Sequence, residues 1–195
     1  MNYRDYLGVL AIIIGFTGYV PYFRDIVSRK TKPHAFSWLV WGVLTGVAFF
    51  GQLVGKGGAG AWVTGFTALV SFTVFILALQ RGHKDFPLFD WLCLIGAGIG
   101  LLLWFLTNNP LLAIILITFI DMLGFIPTFR KSISRPYEET AFTYTMSGLK
   151  FVVAIVALQH YSWVTVLYPA SLVLTNGVFV PLLLIRRAQL KATRA

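Results

Sequence analysis

Cysteine and acidic residues are what this chain has least of. Its one cysteine, Cys93, stands inside an apolar run, so no intrachain disulfide can form and the redox compartment stays unmarked. Asp and Glu number 7 against 16 Lys and Arg, and charged residues make up 12% of the chain, where a soluble domain carries roughly 25%. The histidines His34, His83 and His160 share no metal-ligand spacing, and neither a glycine-rich phosphate loop nor a nucleophile motif occurs. These absences argue against a soluble enzyme, a disulfide-stapled scaffold and a metal centre; no catalytic residue, metal or cofactor is expected. The short alternating segments of a membrane β-barrel are missing as well.

What fills the chain is apolar sequence. Hydrophobic residues make up 57%, and mean hydropathy is +0.78. The apolar residues gather into runs of about 20, the length that crosses roughly 30 Å of hydrocarbon. Seven such runs are expected as helical spans, at 5–27, 35–54, 59–80, 87–106, 110–129, 141–159 and 163–185. The first begins at Tyr6 without a small-residue cleavage site and contains Gly18 and Pro21, so it reads as a span rather than a cleaved signal. The fold class is an all-α integral membrane protein whose lipid bilayer is its solvent.

Loop charge orients the spans. The loops after spans 1, 3 and 5 and the C-terminal tail hold thirteen basic residues: Arg24, Arg29, Lys30, Lys32, Arg81, Lys84, Arg130, Lys131, Arg135, Arg186, Arg187, Lys191 and Arg194. The other side holds two, Arg4 and Lys56. A multi-pass cell-membrane protein with its N-terminus outside and its C-terminus in the cytoplasm follows. The net charge of +9 belongs to this asymmetry, and nucleic acid is not an expected partner.

An internal repeat runs through the chain. Gly18-Tyr-Val-Pro-Tyr-Phe-Arg24 returns 106 positions later as Gly124-Phe-Ile-Pro-Thr-Phe-Arg130. The alignment continues ungapped, through Ser28-Arg29 with Ser134-Arg135, Ala35-Phe36 with Ala141-Phe142, and Gly42 with Gly148, so that nine of 25 positions from 18 to 42 are identical. Further on, Trp62-Val63-Thr64 matches Trp163-Val164-Thr165 at a slightly different offset. An even number of crossings separates spans 1 and 5, so the repeats are parallel. Span 4, with Gly96, Gly98 and Gly100, matches neither half. The expected organisation is a first three-helix repeat at 1–82, a linker helix at 83–108 and a second repeat with a basic tail at 109–195.

Pro21-Tyr22, Arg29-Lys30-Thr31 and Phe36-Ser37-Trp38 in one half, with Pro127-Thr128 and Ser134-Arg135 in the other, resemble the PQ-loop and SWEET transporter superfamily. The Gln of the family's dipeptide is replaced by Tyr22 and Thr128, and span 6 lacks a proline. The resemblance implies a 3+1+3 architecture, transport of a small polar solute such as a sugar or amino acid by alternating access, and a pocket asparagine in the last helix. It equally admits a ligand-binding receptor or accessory membrane module without transport activity. Half-size relatives must dimerise; a chain carrying both repeats has no such obligation, and its oligomeric state is not determined by sequence.

Candidate site residues are polar groups in the wrong solvent. Asp121 and Lys150 stand mid-span, where a charge costs roughly 2.5–3.5 kcal/mol to insert. Each lies about 14 residues from the centre of the loop joining spans 5 and 6, hence at similar depth. An ion pair between them is expected on that basis, serving structure, proton coupling, or a solute that is zwitterionic or anionic. Thr143, Ser147 and Lys150 share one helical face, and Asp121, Gly124 and Thr128 another, so a polar cavity between spans is expected. Span 7 contains Pro169, Asn176-Gly177 and Pro181, a pattern that weakens helical bonding; Asn176 is a candidate pocket residue or interhelical glue. Pro21 and Pro127, each three residues after a glycine (Gly18 and Gly124), are candidate hinges. Trp38, Trp62, Trp91, Trp104 and Trp163 read as interfacial belt residues, Trp41 as a deeper, cavity-facing one, and Glu138 and Glu139 as solvated beside Arg135.

Overall fold

The computed structural model describes residues 2–29, 33, 35–81, 88–134 and 136–192, and among these there are helices and turns but no strand. Eight α-helices follow in order: α1 Tyr3–Val27, α2 Ala35–Val54, α3 Trp62–Arg81, α4 Leu88–Thr107, α5 Pro110–Gly124, α6 Ile126–Ser134, α7 Ala141–Val156 and α8 Trp163–Ala192. A 3-10 turn at Gly58–Ala61 leads into α3. Among the described residues, four helices are long and apolar enough to cross a membrane, at Tyr3–Val27, Ala35–Val54, Gly58–Arg81 and Trp163–Lys191. Three further apolar stretches, Trp91–Thr107, Pro110–Gly124 and Ala141–Val156, are shorter.

The fifth expected span is divided. α5 stops at Gly124, Phe125 turns, and α6 restarts at Ile126. Pro127 brings no amide hydrogen, and glycine is a weak helix former, so the break falls where the i→i−4 ladder has least to lose. In α6, Pro127 occupies the first turn, where a missing N–H costs nothing; its side chain lies outside the described residues. Pro21, its repeat partner, is instead carried inside the unbroken α1.

The helix expected to be weakened is whole. α8 runs through Pro169 and Pro181 without interruption. Polar side chains turn back onto its own carbonyls as additional donors: Ser171 Oγ donates to Tyr168 O at 2.7 Å, Thr175 Oγ1 to Ser171 O at 2.8 Å, and Asn176 Nδ2 to Leu172 O at 2.7 Å. The carbonyl that Pro169 leaves without a helical donor is that of Thr165. It accepts from Gln52 Nε2 of α2 at 2.9 Å.

Helix packing follows the repeat. α1 and α2 both pack on α3, as α5 and α7 both pack on α8. The halves join through α1 against α7 and α2 against α5, and α4 covers α5 and α2. A capping contact recurs as well: Arg81 Nη1 of α3 donates to Val27 O at 3.1 Å, and Arg186 Nε of α8 donates to Ile133 O at 3.2 Å. Val27 and Ile133 are 106 residues apart, the offset of the repeat.

One end of the bundle is tightly sealed by small residues. A Cβ on Gly60 would stand 2.6 Å from Ala154 O and 2.8 Å from Leu158 Cα; one on Gly8 would stand 2.8 Å from Ala59 O. Gln159 N donates to Gly57 O at 3.0 Å, and Arg4 Nη1 to Gln159 O at 3.2 Å. Here the two halves meet backbone to backbone.

Candidate functional site

A cavity of about 450 Å³ lies between the halves. It reaches Asp25, Pro33, Glu139 and Thr140 at the end bearing the C-terminus of α1 and the N-terminus of α7, and it penetrates to Gly15, Thr45, Thr67, Asp121, Lys150 and Asn176 midway along the helices. All six sequence-expected cavity residues, Asp121, Lys150, Asn176, Thr143, Ser147 and Thr128, line it. The hinge candidates Gly18 and Pro21 line it too, whereas Gly124 stands beside Trp41, which itself lines the cavity as expected.

Lining positions occur in repeat-related pairs. At an offset of 106, Gly15 corresponds to Asp121, Tyr19 to Phe125, Tyr22 to Thr128, Ser37 to Thr143, Trp38 to Tyr144, Trp41 to Ser147 and Thr45 to Phe151, and both members of every pair line the cavity. The third helices contribute at the offset set by Trp62 and Trp163: Thr67 corresponds to Tyr168, and Ser71 to Leu172. Equivalent faces of the two halves thus form opposite walls.

The expected Asp121–Lys150 ion pair does not form; no carboxylate of the described residues lies within 4.0 Å of Lys150 Nζ. The helices that carry the two residues, α5 and α7, are not packed on each other, because both pack on α8. Lys150 instead crosses to the first half. Its Nζ donates to Thr67 Oγ1 at 3.0 Å and to Tyr19 Oη at 3.2 Å, and stands 4.7 Å from the Tyr19 ring centre and 4.9 Å from that of Phe151. Its alkyl stem fits because the facing residue is Gly15, whose added Cβ would be 3.1 Å from Lys150 Cδ. Lys150 is 1% exposed and Asp121 3%. The Tyr168 hydroxyl lies beside the Asp121 carboxylate but outside ordinary hydrogen-bond geometry. Two of the three ammonium donors are engaged by hydroxyls, and no cation of the described residues neutralises Asp121 within 4.0 Å.

Asn176 has a fixed orientation. Its amide nitrogen is the atom on Leu172 O, since that carbonyl accepts only a donor. Its Oδ1 is buried with no partner, as is the Tyr168 hydroxyl. Partnerless buried polar atoms also occur away from the cavity, on Gln52, Thr64, Thr118 and Ser132, so it is their place on the lining that distinguishes Asn176 and Tyr168.

Two assignments from sequence change. Trp38 is more than a belt residue: it lines the cavity and donates from Nε1 to Tyr22 Oη at 3.2 Å. Glu139 is half-buried at the mouth, where it accepts from the Tyr144 hydroxyl at 3.0 Å. Glu138 keeps no described side chain, and Lys30, Lys32, His34, His83, Lys84, Arg135 and Arg194 lie outside the described residues. Tyr19, Thr67 and Tyr168 escaped the sequence reading because hydroxyls and aromatics are unremarkable in a span; applying the repeat offsets to the polar positions would have pointed toward several of the others. Comparison with family models, curated proteins and solved structures found no match.

Proposed function

We propose that the chain is a multi-pass membrane transporter that moves a small polar solute by alternating access, with seven spans in a 3+1+3 arrangement and its basic loops in the cytoplasm. Membership of the PQ-loop and SWEET superfamily is part of this reading. The observation that carries it is the cavity: equivalent faces of two parallel repeats wall it, it reaches one end of the bundle, and packed glycines seal the other. Such a site between repeats can open to either side by rocking one half against the other. The turn at Phe125, beside Pro127, and the proline of α1 supply points about which helices bend. The divided fifth helix and short α7 accord with this, since a helix need not be regular where it lines a cavity.

The test is uptake into proteoliposomes from a panel of radiolabelled sugars, amino acids and small organic acids, with and without a proton gradient. Saturable uptake of any member supports transport, and dependence on the gradient indicates coupling. Absence of flux for every member, from folded protein, favours a receptor or accessory module on the same helices.

A further inference from the structure

Asp121 and Lys150 pose a problem of charge. Both are buried in one cavity, they carry opposite signs, and they do not touch. A buried charge left without a counter-charge is costly, and the usual remedy is a direct pair. Here the remedy is barred by architecture. Lys150 is drawn to the α1 and α3 wall by Tyr19 and Thr67, while Asp121 stands on α5 beside Tyr168. Their repeat counterparts, Leu44 and Gly15, are uncharged, so each sign occurs once and the two charges sum to zero.

The remaining charges on the lining are already engaged near the mouth. Asp25 lies 3.5 Å from Arg24, and Glu139 accepts from Tyr144. Only at the inner end do a carboxylate and an ammonium share the cavity without bonding each other or another ion. The Tyr168 hydroxyl stands beside Asp121, and Asn176 lines the cavity where α8 packs on Gly148 of α7. On the opposite side, one ammonium donor of Lys150 is uncommitted. The inner cavity therefore offers a carboxylate from α5 and an ammonium donor from α7 that is held toward α1 and α3.

Resting on the transport reading, we infer that the solute is a zwitterion of α-amino-acid type, its ammonium directed to Asp121 and its carboxylate to Lys150. A sugar would leave both protein charges unmatched. A simple amine or a simple carboxylate would match one and bury a second ion of the wrong balance. A zwitterion meets both groups in their ionised forms and leaves the loaded cavity neutral. The volume of about 450 Å³ lies within the range of small-molecule sites and leaves room for a side chain against Trp41 and Phe125.

The purified full chain in detergent is titrated with alanine, leucine, phenylalanine, glutamine and lysine, and with glucose and sucrose, following intrinsic tryptophan fluorescence, to which the cavity residues Trp38 and Trp41 contribute. Whichever amino acid binds is then compared with its amide, which lacks the carboxylate, and its deaminated acid, which lacks the ammonium. The expected result is binding of at least one amino acid, with both analogues at least tenfold weaker. Asp121→Asn should weaken the amino acid at least tenfold while leaving the deaminated acid within twofold; Lys150→Gln should do the converse with the amide. Should either variant fail to elute as a monodisperse species, the analogue series on the unaltered protein decides. Sugar binding without amino-acid binding, or analogues as tight as the parent, overturns the inference while leaving transport standing. Amino-acid binding with this charge dependence but no proteoliposome flux upholds the zwitterion site and removes transport. No binding by any compound overturns it.

Discussion

Lys150 of α7 donates to Thr67 of α3 at 3.0 Å, so the one cation buried among the described spans belongs to one half of the sequence and is held by the other. The contact crosses the surface on which the halves would move. Thr67→Val preserves shape and removes the acceptor. Interhelical hydrogen bonds in membranes contribute about 1 kcal/mol, and a loss of that size in thermal unfolding is expected. Combined with Lys150→Met, the two changes should be non-additive by a similar amount; strict additivity would show that the bond contributes nothing.

Lys150→Leu installs the residue that the repeat places at the equivalent position, Leu44, which is itself buried. Removing a buried charge in favour of an apolar group of similar bulk is often neutral or stabilising. The melting temperature in detergent should therefore hold or rise, while uptake falls to background. Unfolding of this variant would show that the lysine serves the fold instead of the cavity.

The repeat explains how much was readable beforehand. All six residues expected at the site line the cavity, although other buried polar residues of the apolar runs, Gln52, Thr64 and Thr118, do not. The Asp121–Lys150 pair was not readable, since matched depth on successive spans says nothing about which helices pack on each other. The broken helix was also misassigned. Pro169 and Pro181 looked disruptive in sequence, yet α8 is continuous, and Gln52 of α2 supplies the donor that Pro169 withholds from the carbonyl of Thr165. Local prolines predict freed acceptors; only tertiary structure shows what satisfies them.

The Gln52 contact permits a reciprocal test. Gln52→Leu leaves the Thr165 carbonyl, freed by Pro169, buried and without its donor, a loss of about 1–3 kcal/mol. Adding Pro169→Ala restores a backbone N–H four residues along the helix, and stability should return to near the starting value. A double variant no more stable than Gln52→Leu alone would mean that the glutamine acts by packing. Thermal unfolding of the three variants in one detergent measures the difference.

Gly60 separates sealing from mere packing. Its added Cβ would meet backbone, Ala154 O at 2.6 Å and Leu158 Cα at 2.8 Å, so no flexible side chain can yield and the sealed end must part. A Cβ at Gly98 meets nothing within 4 Å, which makes Gly98→Ala the matched control. A reporter cysteine replaces Thr45 on the cavity wall in a Cys93→Ser background. With a membrane-impermeant maleimide applied from the face bearing Arg4 and Lys56, Gly60→Ala should raise labelling severalfold and lower uptake. Gly98→Ala should change neither. The two readouts separate the cases: a destabilised but still closed protein loses uptake without gaining labelling, whereas a wedged-open seal shows both. Unchanged labelling in folded Gly60→Ala protein would mean that the glycine contacts at this end do not close the path.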